Sequence, residues 1–179
     1  MNNIIISVDT EASGPVPGLF DMISVGLVVV EPGLNRTFYA EFAPLHDLYL
    51  QGAYDSIGVT REQHLAMPDP AIGAHAMVEW AESLGGKYQP TVSDNPAFDF
   101  PFLSWYALKF TGRTPFGHSA RRIGDFAAGL ERDWMAKQRW KKLRQTKHSH
   151  NALDDSKGNA EALMALCENN DVRVPWHAK

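Results

Sequence analysis

Two carboxylates follow the first apolar run of the sequence, at a position where charged side chains need a partner. The run from Ile4 to Val8 is almost continuously apolar, which predicts a strand buried on both faces at the centre of a sheet. Asp9 and Glu11 come next, and their carboxylates should project together because residues two apart in a strand point the same way. Like charges in such a place require a cation, and hard oxygen ligands suit Mg²⁺ or Mn²⁺. The alternative is an Asp that caps its own turn beside a solvated Glu.

Two stretches further along the chain carry more carboxylates, and one of them carries a histidine. Asp99 ends the segment 95–99, which follows a predicted strand at 91–93. Asp155 opens the last strong helical pattern, and His150 stands five residues before it. Both aspartates lie early in predicted helices, where a carboxylate is favourable for the helix dipole whatever its function. Each motif is weak alone, whereas all three in this order form a specific combination.

Together these motifs resemble those of the DnaQ-like 3′→5′ exonucleases of the DEDDh type, a superfamily that includes polymerase proofreading domains, oligoribonuclease and RNase T. The similarity extends from residue 4 to about residue 168, and we expect residues 1–179 to form a single exonuclease domain. The resemblance implies the ribonuclease H-like α/β fold, with a mixed five-stranded sheet and helices on both faces. The pattern by itself supports only a mixed α/β sheet with helices on both faces.

The resemblance also implies a metal-dependent reaction. Four carboxylates would hold two Mg²⁺ or Mn²⁺ ions, namely Asp9, Glu11, Asp99 and Asp155. Asp9 would bridge both ions, and Asp99 would act largely through bound water. Two such ions activate the attacking water, stabilise the leaving oxygen and neutralise charge on the phosphorus. The expected reaction is hydrolysis at the 3′ end of a nucleic acid with release of nucleoside 5′-monophosphates.

A histidine is expected to take the proton of the attacking water. By resemblance this general base is His150, a role that suits an imidazole near neutral pH. His148 is the other candidate, and only the family spacing His-x-Ala-x-x-Asp favours His150. The same spacing selects Asp155 rather than its neighbour Asp154.

Several residues around the motifs are expected to contact the nucleic acid. They are Ala12, Asn95, Phe98, Trp140, Lys141, Lys142 and Arg144. Asn95 is as readily a helix N-cap as a substrate contact. The family often has His before this Asn, whereas this chain has Asp94, which adds a negative charge near the site. Trp140 either stacks on a base of a single strand or belongs to the core.

The net charge of −4 conceals an uneven distribution. Residues 1–100 contain 13 acidic and 3 basic side chains, a net −10, whereas residues 101–179 contain 8 and 14, a net +6. The basic segment 137–147 holds Lys137, Arg139, Lys141, Lys142, Arg144 and Lys147. Such a run is either a solvated helical face or a surface for the phosphate backbone, and its position before the His-Asp motif favours the second.

Helical patterns predict which side chains are buried. The helix after Asp69 would bury a face of Ile72, Ala76, Trp80 and Leu84. The helix at 98–111 would hold Pro101 in its first turn or at a kink. The helix from Asp125 would bury Phe126, Leu130 and Trp134. A capping box at 60–63 predicts the start of another short helix.

The composition is that of an ordinary globular protein, with 44% apolar and 21% charged residues in 179. The single Cys167 excludes an internal disulfide. No basic segment precedes the first apolar run, and no stretch approaches the ~20 apolar residues of a membrane span. We therefore expect a cytoplasmic protein that does not bind membranes, and a homodimer is compatible with the sequence.

The expected partner is the 3′ end of single-stranded nucleic acid or a short oligonucleotide. We lean slightly to RNA, because the chain is short and stands alone as oligoribonuclease does. The alternatives are a DNA-directed exonuclease of the proofreading type and a non-catalytic nucleic-acid-binding module with the same fold.

Overall fold

The computed structural model describes residues 4–174, and a mixed five-stranded sheet lies at its centre. The strands are β1 (Ile6–Ala12), β2 (Met22–Val29), β3 (Thr37–Glu41), β4 (Thr91–Ser93) and β5 (Ala120–Arg122). Their order across the sheet is β3-β2-β1-β4-β5, with β1 to β3 antiparallel and β4 and β5 parallel to β1. The strand that carries the first two carboxylates is therefore central, as its apolar run predicts.

Six α-helices occur in the described part of the chain, and none of them is long and apolar enough to cross a membrane. They are α1 (Gln51–Ile57), α2 (Arg61–Leu65), α3 (Pro70–Ser83), α4 (Pro96–Thr111), α5 (Ile123–Glu131) and α6 (Ala152–Asn169). Two 3₁₀ turns, Trp134–Ala136 and Arg139–Leu143, connect α5 to α6. The basic segment 137–147 therefore follows an irregular path, and the interpretation as one face of an α-helix is wrong.

Each face of the sheet has its own apolar core. On one face β1 packs against α3 and α4, in a cluster that includes Val8, Met77 and Phe102. On the other face β2 and β4 pack against α5 and α6, in a cluster that includes Val92 and Ile123. Helices on both faces of a mixed sheet are the arrangement that the sequence predicts, and the fold class is confirmed.

A glycine in β2 lets the last helix begin directly on the sheet. Gly26 pairs with Asp9 across the β1–β2 ladder. A Cβ atom on Gly26 would lie 2.2 Å from the carbonyl oxygen of Ala152, the first residue of α6. Because no side chain intervenes, the start of α6 lies over the strand position that faces Asp9.

Three details differ from the helical patterns. In α3 the predicted face is only partly right, since Leu84 is buried but Ile72 is 67% exposed, and Met77 and Val78 are buried instead. In α4 the helix starts at Pro96, so Pro101 lies beyond the first turn and only the alternative of a kink stays open. After α5 the chain leaves the helix at Glu131, and Trp134 is 86% exposed instead of buried.

Candidate active site

The carboxylates of β1 and α6 meet at the end of β1. One oxygen from each of Asp9, Glu11 and Asp155 lies within 4.8 Å of the others, close enough to share a cation. Asp9 and Glu11 project to the same side because they are two apart in β1. Asp155 comes from the first turn of α6 and is buried. The fold thus brings together three of the four predicted ligands.

Two reciprocal hydrogen bonds hold β1 to α6 beside this cluster. The hydroxyl of Ser7 donates to the carbonyl oxygen of Ser156 at 2.8 Å. In return, the hydroxyl of Ser156 donates to the carbonyl oxygen of Ser7 at 2.9 Å. Both side chains are fully buried, where a broken hydrogen bond is costly. Ser7 is two residues before Asp9, and Ser156 directly follows Asp155, so the pair fixes the distance between the two ligands. Sequence reasoning missed it, although a serine inside an apolar strand was a signal.

The fourth predicted ligand, Asp99, approaches from α4. Its Oδ1 accepts hydrogen bonds from the backbone N–H of Thr10 at 3.0 Å and from the Thr10 hydroxyl at 3.1 Å. It is not a member of the group whose oxygens lie within 4.8 Å of one another among the described residues. This position agrees with contact through water. Thr10, between the two acidic residues of β1, is a positioning residue that sequence reasoning did not identify.

Burial and mutual repulsion disfavour the ionised carboxylates when no cation is bound. Burial, and then the charges of Asp155 and Asp99, raise the pKa of Glu11 to about 8. Burial also raises the pKa of Asp9 well above its ordinary value, and the neighbouring carboxylates add to this. Burial raises the pKa of Asp99 to about 7, although the hydrogen bonds from Thr10 act in the opposite direction. A divalent cation would remove the repulsion and allow all of these groups to ionise.

Both candidate histidines lie beside the carboxylates, with their rings 4.3 Å apart. Nδ1 of His150 is 3.7 Å from Oε1 of Glu11, whereas Nδ1 of His148 is 2.8 Å from Oδ2 of Asp155. The side chain of His150 is 42% exposed and that of His148 is 53% exposed. The structure therefore brings both rings to the site, and the choice of His150 still depends on the spacing of the motif.

The loop that carries these histidines is tied to Asp155 by its backbone. The N–H groups of Ser149 and His150 donate to the two oxygens of Asp155 at 3.1 and 3.0 Å. His150 has a φ of 56°, in the left-handed region that few non-glycine residues adopt. The Asn151 side chain then caps α6 by accepting from the N–H of Leu153. The carboxylate of Asp155 thus orients the loop as well as facing Asp9.

Asp94, which was expected to add a negative charge near the site, is paired with cations. Nζ of Lys141 lies 2.5 Å from its carboxylate, and the guanidinium of Arg144 lies 4.0 Å away. Arg144 also donates to the side chain of Asn159 in α6, and only 9% of the Arg144 side chain is exposed. The guanidinium of Arg144 thus links Asp94 to α6, and its contact with phosphate stays a prediction.

Two other predicted substrate contacts are buried. Trp140 is 1% exposed, donates its indole N–H to the carbonyl oxygen of Lys137, and is covered by the guanidinium of Arg144 at 5.1 Å. It cannot stack on a base, so the alternative of a core residue is correct. The side chain of Ala12 is 4% exposed and belongs to the β1 core, so a contact of Ala12 with nucleic acid would have to use its backbone.

The remaining predicted contacts are accessible. Asn95 is exposed and occupies the N-cap position of α4, as the N-cap alternative predicts, but its side chain makes no capping hydrogen bond. Phe98 is half-buried and packs 5.3 Å from the ring of Phe102. Lys142 is exposed, and Lys141 is 39% exposed despite its pairing with Asp94.

Sequence reasoning missed an apolar surface beside the acidic cluster. The N–H of Leu50 donates to the carbonyl oxygen of Ser13 at 2.8 Å, so the loop before α1 lies against the loop that follows β1. These two loops expose Val16, Leu19, Leu45, Leu48, Tyr49 and Leu50. The residues around 45–56 show no periodicity, and for that reason their role was not predicted. Exposed apolar side chains on two loops that touch make this a candidate binding surface.

Comparison with known proteins gives one close match in sequence. No protein-family model matches the chain. The chain is 29% identical over 172 residues to a protein named 3′-5′ DNA exonuclease Cap18 from Escherichia coli, and the alignment covers 91% of each sequence. The similarity therefore extends over nearly the full length of both proteins.

Solved structures of nucleases share the fold. Cell-death related nuclease 4 (CRN-4) matches with a TM-score of 0.71 and 15% identity, over 93% of this chain and 64% of that one. The zinc-bound complex of Escherichia coli ExoI with single-stranded DNA matches with a TM-score of 0.70 and 16% identity, over 97% of this chain and 42% of that one. A full-length 3′-exonuclease matches with a TM-score of 0.71 and 16% identity, over 96% and 84%. The chain thus spans less than two thirds of the first two proteins. In its three motifs, its fold and its sequence relative, the chain is similar to the DnaQ-like 3′–5′ exonuclease superfamily.

Proposed function

We propose that this chain is a metal-dependent 3′→5′ exonuclease that hydrolyses the terminal phosphodiester of a single DNA strand and releases nucleoside 5′-monophosphates. The observation that carries the proposal is the meeting of Asp9, Glu11 and Asp155 within 4.8 Å, with His150 3.7 Å from Glu11. A non-catalytic binding module has no use for such a cluster, because buried carboxylates destabilise the fold and repel phosphate.

The donor set suits Mg²⁺ or Mn²⁺, since every candidate ligand is a hard carboxylate oxygen. Asp9, Glu11 and Asp155 would hold the ions directly, and Asp99 would reach them through water. When bound, the ions activate the water, stabilise the leaving 3′-oxygen and neutralise charge on the phosphate. The raised pKa values of Asp9 and Glu11 support this assignment, because a cation is what allows these buried groups to ionise together.

His150 would take the proton of the attacking water. Its ring borders the carboxylates and is 42% exposed, so it can turn toward a substrate that occupies the cleft. A distance of 3.7 Å from Glu11 suits a base whose hydrogen bonds tighten once substrate is bound. The backbone N–H of His150 donates to Asp155, and this hydrogen bond supports a joint role for the proposed base and the proposed metal ligand.

We propose DNA as the preferred substrate, in place of the slight lean to RNA. The relative that matches 91% of the chain is named a DNA exonuclease. Structures with this fold include both ExoI bound to single-stranded DNA and a 3′-exonuclease that recognises a histone mRNA stem-loop. The fold therefore does not discriminate between the two sugars, and the full-length sequence similarity is the stronger guide.

Two surfaces would receive the strand. The exposed apolar side chains of the two loops beside Glu11, among them Leu19 and Leu48, would contact the terminal bases, which have apolar faces. Exposed lysines of the basic segment, such as Lys142, would contact the phosphates that follow. Asn95 and Phe98 lie at the start of α4, close in sequence to Asp99, and would contact the same strand.

The test is an assay of the purified protein with 5′-labelled DNA and RNA oligonucleotides of one sequence. With Mg²⁺ or Mn²⁺ we expect stepwise shortening from the 3′ end, faster on DNA, and nucleoside 5′-monophosphates as products. The variant Asp9→Asn serves as the control for a contaminating nuclease. Binding of the oligonucleotides without any turnover would reject the enzyme and favour a binding module, and faster turnover of RNA would reject the preference for DNA.

A further inference from the structure

A second group of ligand atoms, with a different chemistry, lies next to the carboxylate cluster. One atom each of His148, His150 and Asp155 lies within 4.8 Å of the others. Nδ1 of His148 is 2.8 Å from Oδ2 of Asp155, and the two imidazole rings are 4.3 Å apart at an angle of 63°. Asp155 belongs to both groups, whereas the two histidines contribute nitrogen donors that the carboxylate cluster lacks.

Nitrogen donors change which metal is favoured. Imidazole suits Zn²⁺ and other late transition metals, whereas Mg²⁺ takes oxygen ligands. Two histidines and one carboxylate that leave a position open form a known zinc ligand set. Bond lengths of ~2.0–2.2 Å to zinc place the ligand atoms of such a site roughly 3.5 Å apart. Side-chain rotation can close the remaining gap, because neither imidazole is enclosed.

The shared carboxylate is already oriented for such a role. Its two oxygens accept from the backbone N–H groups of Ser149 and His150, which fixes the plane of Asp155. Outer hydrogen bonds of this kind orient a metal ligand before the ion arrives. The loop 148–151 therefore holds both imidazoles beside a carboxylate whose orientation is restrained by two hydrogen bonds.

We infer that His148, His150 and Asp155 form a zinc site that inhibits the enzyme. Zinc held there engages Asp155, which the Mg²⁺ site with Asp9 and Glu11 requires. It also occupies a nitrogen of His150, the proposed general base. The inhibitory part of this inference rests on the proposed exonuclease function, whereas binding of zinc does not.

Zinc binding is measured directly on the metal-stripped protein and then again with Mg²⁺, which should weaken it because both ions need Asp155. Competition against a chromogenic chelator gives the affinity for Zn²⁺. We expect His148→Ala and His150→Ala each to weaken binding at least ~10-fold, since loss of even an outer partner costs that much. The matched control is His75→Ala, which removes an exposed histidine on α3. Unchanged affinity in either site variant would place zinc among the carboxylates and overturn the inference.

A second measurement avoids any question of misfolded variants. In the unmodified protein, Zn²⁺ should move the imidazole proton resonances of two histidines to positions that Mg²⁺ does not produce, because only Zn²⁺ binds their nitrogens. In the nuclease assay, Zn²⁺ should inhibit the Mg²⁺-dependent activity, and His148→Ala should need at least ~10-fold more zinc relative to its own rate. Zinc that binds without inhibiting would reject the inhibitory role. A protein with no nuclease activity would reject the proposed function and leave the binding result standing.

Discussion

Asp155 combines more roles than any other residue of the candidate site. It faces Asp9 and Glu11, accepts the N–H groups of the loop that carries both histidines, and pairs with His148. The position was predictable because the motif spacing selects it. The pairing of Asp94 with Lys141 and Arg144 was not, because long side chains from a distant segment reach it along a loop path that no periodicity describes.

Asp9→Asn is expected to abolish turnover and to stabilise the metal-free fold. The carboxylate is needed to hold the cation, but without a cation it is buried among like charges. Initial rates with Mg²⁺ and thermal unfolding in EDTA measure the two effects. A variant that keeps its rate would show that Asp9 is not a ligand.

His150→Ala should lower kcat by roughly 10²–10⁴-fold, the contribution of a positioned general base. Mg²⁺ affinity should change little, because His150 is not proposed as a ligand of that ion. His148→Ala should have a much smaller effect on kcat, since the motif spacing selects His150 and the ring of His148 contacts Asp155. Steady-state kinetics of the two variants decide between them, and the reverse order would move the base to His148.

Elements were predicted better than the faces they bury. In α3 the pattern of large apolar residues pointed to Ile72, but the buried side contains Gly73, whose Cβ would lie 2.7 Å from the ring of Phe42. Close packing of a helix on a sheet selects small residues, which a search for large ones overlooks. Beyond α5, Arg132 adopts a φ of 52°, which ends the helix and breaks the four-residue spacing that should have buried Trp134.

Gly26→Ala tests whether the close contact between β2 and the start of α6 positions Asp155 in the candidate site. The added Cβ would meet backbone atoms of Ala152 at 2.2 Å, so α6 and Asp155 must shift. We expect a loss of ~1–3 kcal/mol in the free energy of unfolding, as for overpacked cores, together with a lower kcat.

The matched control is Gly129→Ala in α5, where a Cβ would meet no atom within 4 Å. That change should stabilise the protein by about 0.5–1 kcal/mol, the usual gain from replacing a helical glycine. Denaturant unfolding and the nuclease assay measure both variants. Equal effects of the two substitutions would show that contact at Gly26 does not position the site.

The basic segment is tested by its exposed lysines rather than by the buried Arg144. Replacing Lys137, Lys142 and Lys147 together with Ala should raise KM and flatten its dependence on salt, because fewer counterions are released on binding. kcat on saturating substrate should stay close to that of the unmodified protein. Lys87→Ala, an exposed lysine before β4, is the control for general loss of charge. An unchanged KM would make the segment a solvated surface.

At the scale of the whole molecule, the fold holds an acidic cluster that is unstable without its cation. Burial and repulsion raise the pKa of Glu11 from 4.5 to about 8 in the folded protein. Between these two values the folded chain binds more protons than the unfolded chain. The free energy of unfolding of the metal-free protein therefore falls as pH rises through this window.

This fall in the free energy of unfolding with rising pH should vanish when Mg²⁺ is saturating. The reason is that the cation offsets the charges that form as the carboxylates ionise. One fully responding group changes the free energy of unfolding by about 1.4 kcal/mol per pH unit, which moves the Tm by ~2–4 °C or more. Thermal unfolding between pH 5 and 8 in EDTA and in Mg²⁺ gives the two slopes, and Glu11→Gln should flatten the slope in EDTA. Equal slopes with and without Mg²⁺ would mean that the cluster does not hold the ion, since only a bound cation can remove the penalty of ionising Glu11 beside Asp9 and Asp155.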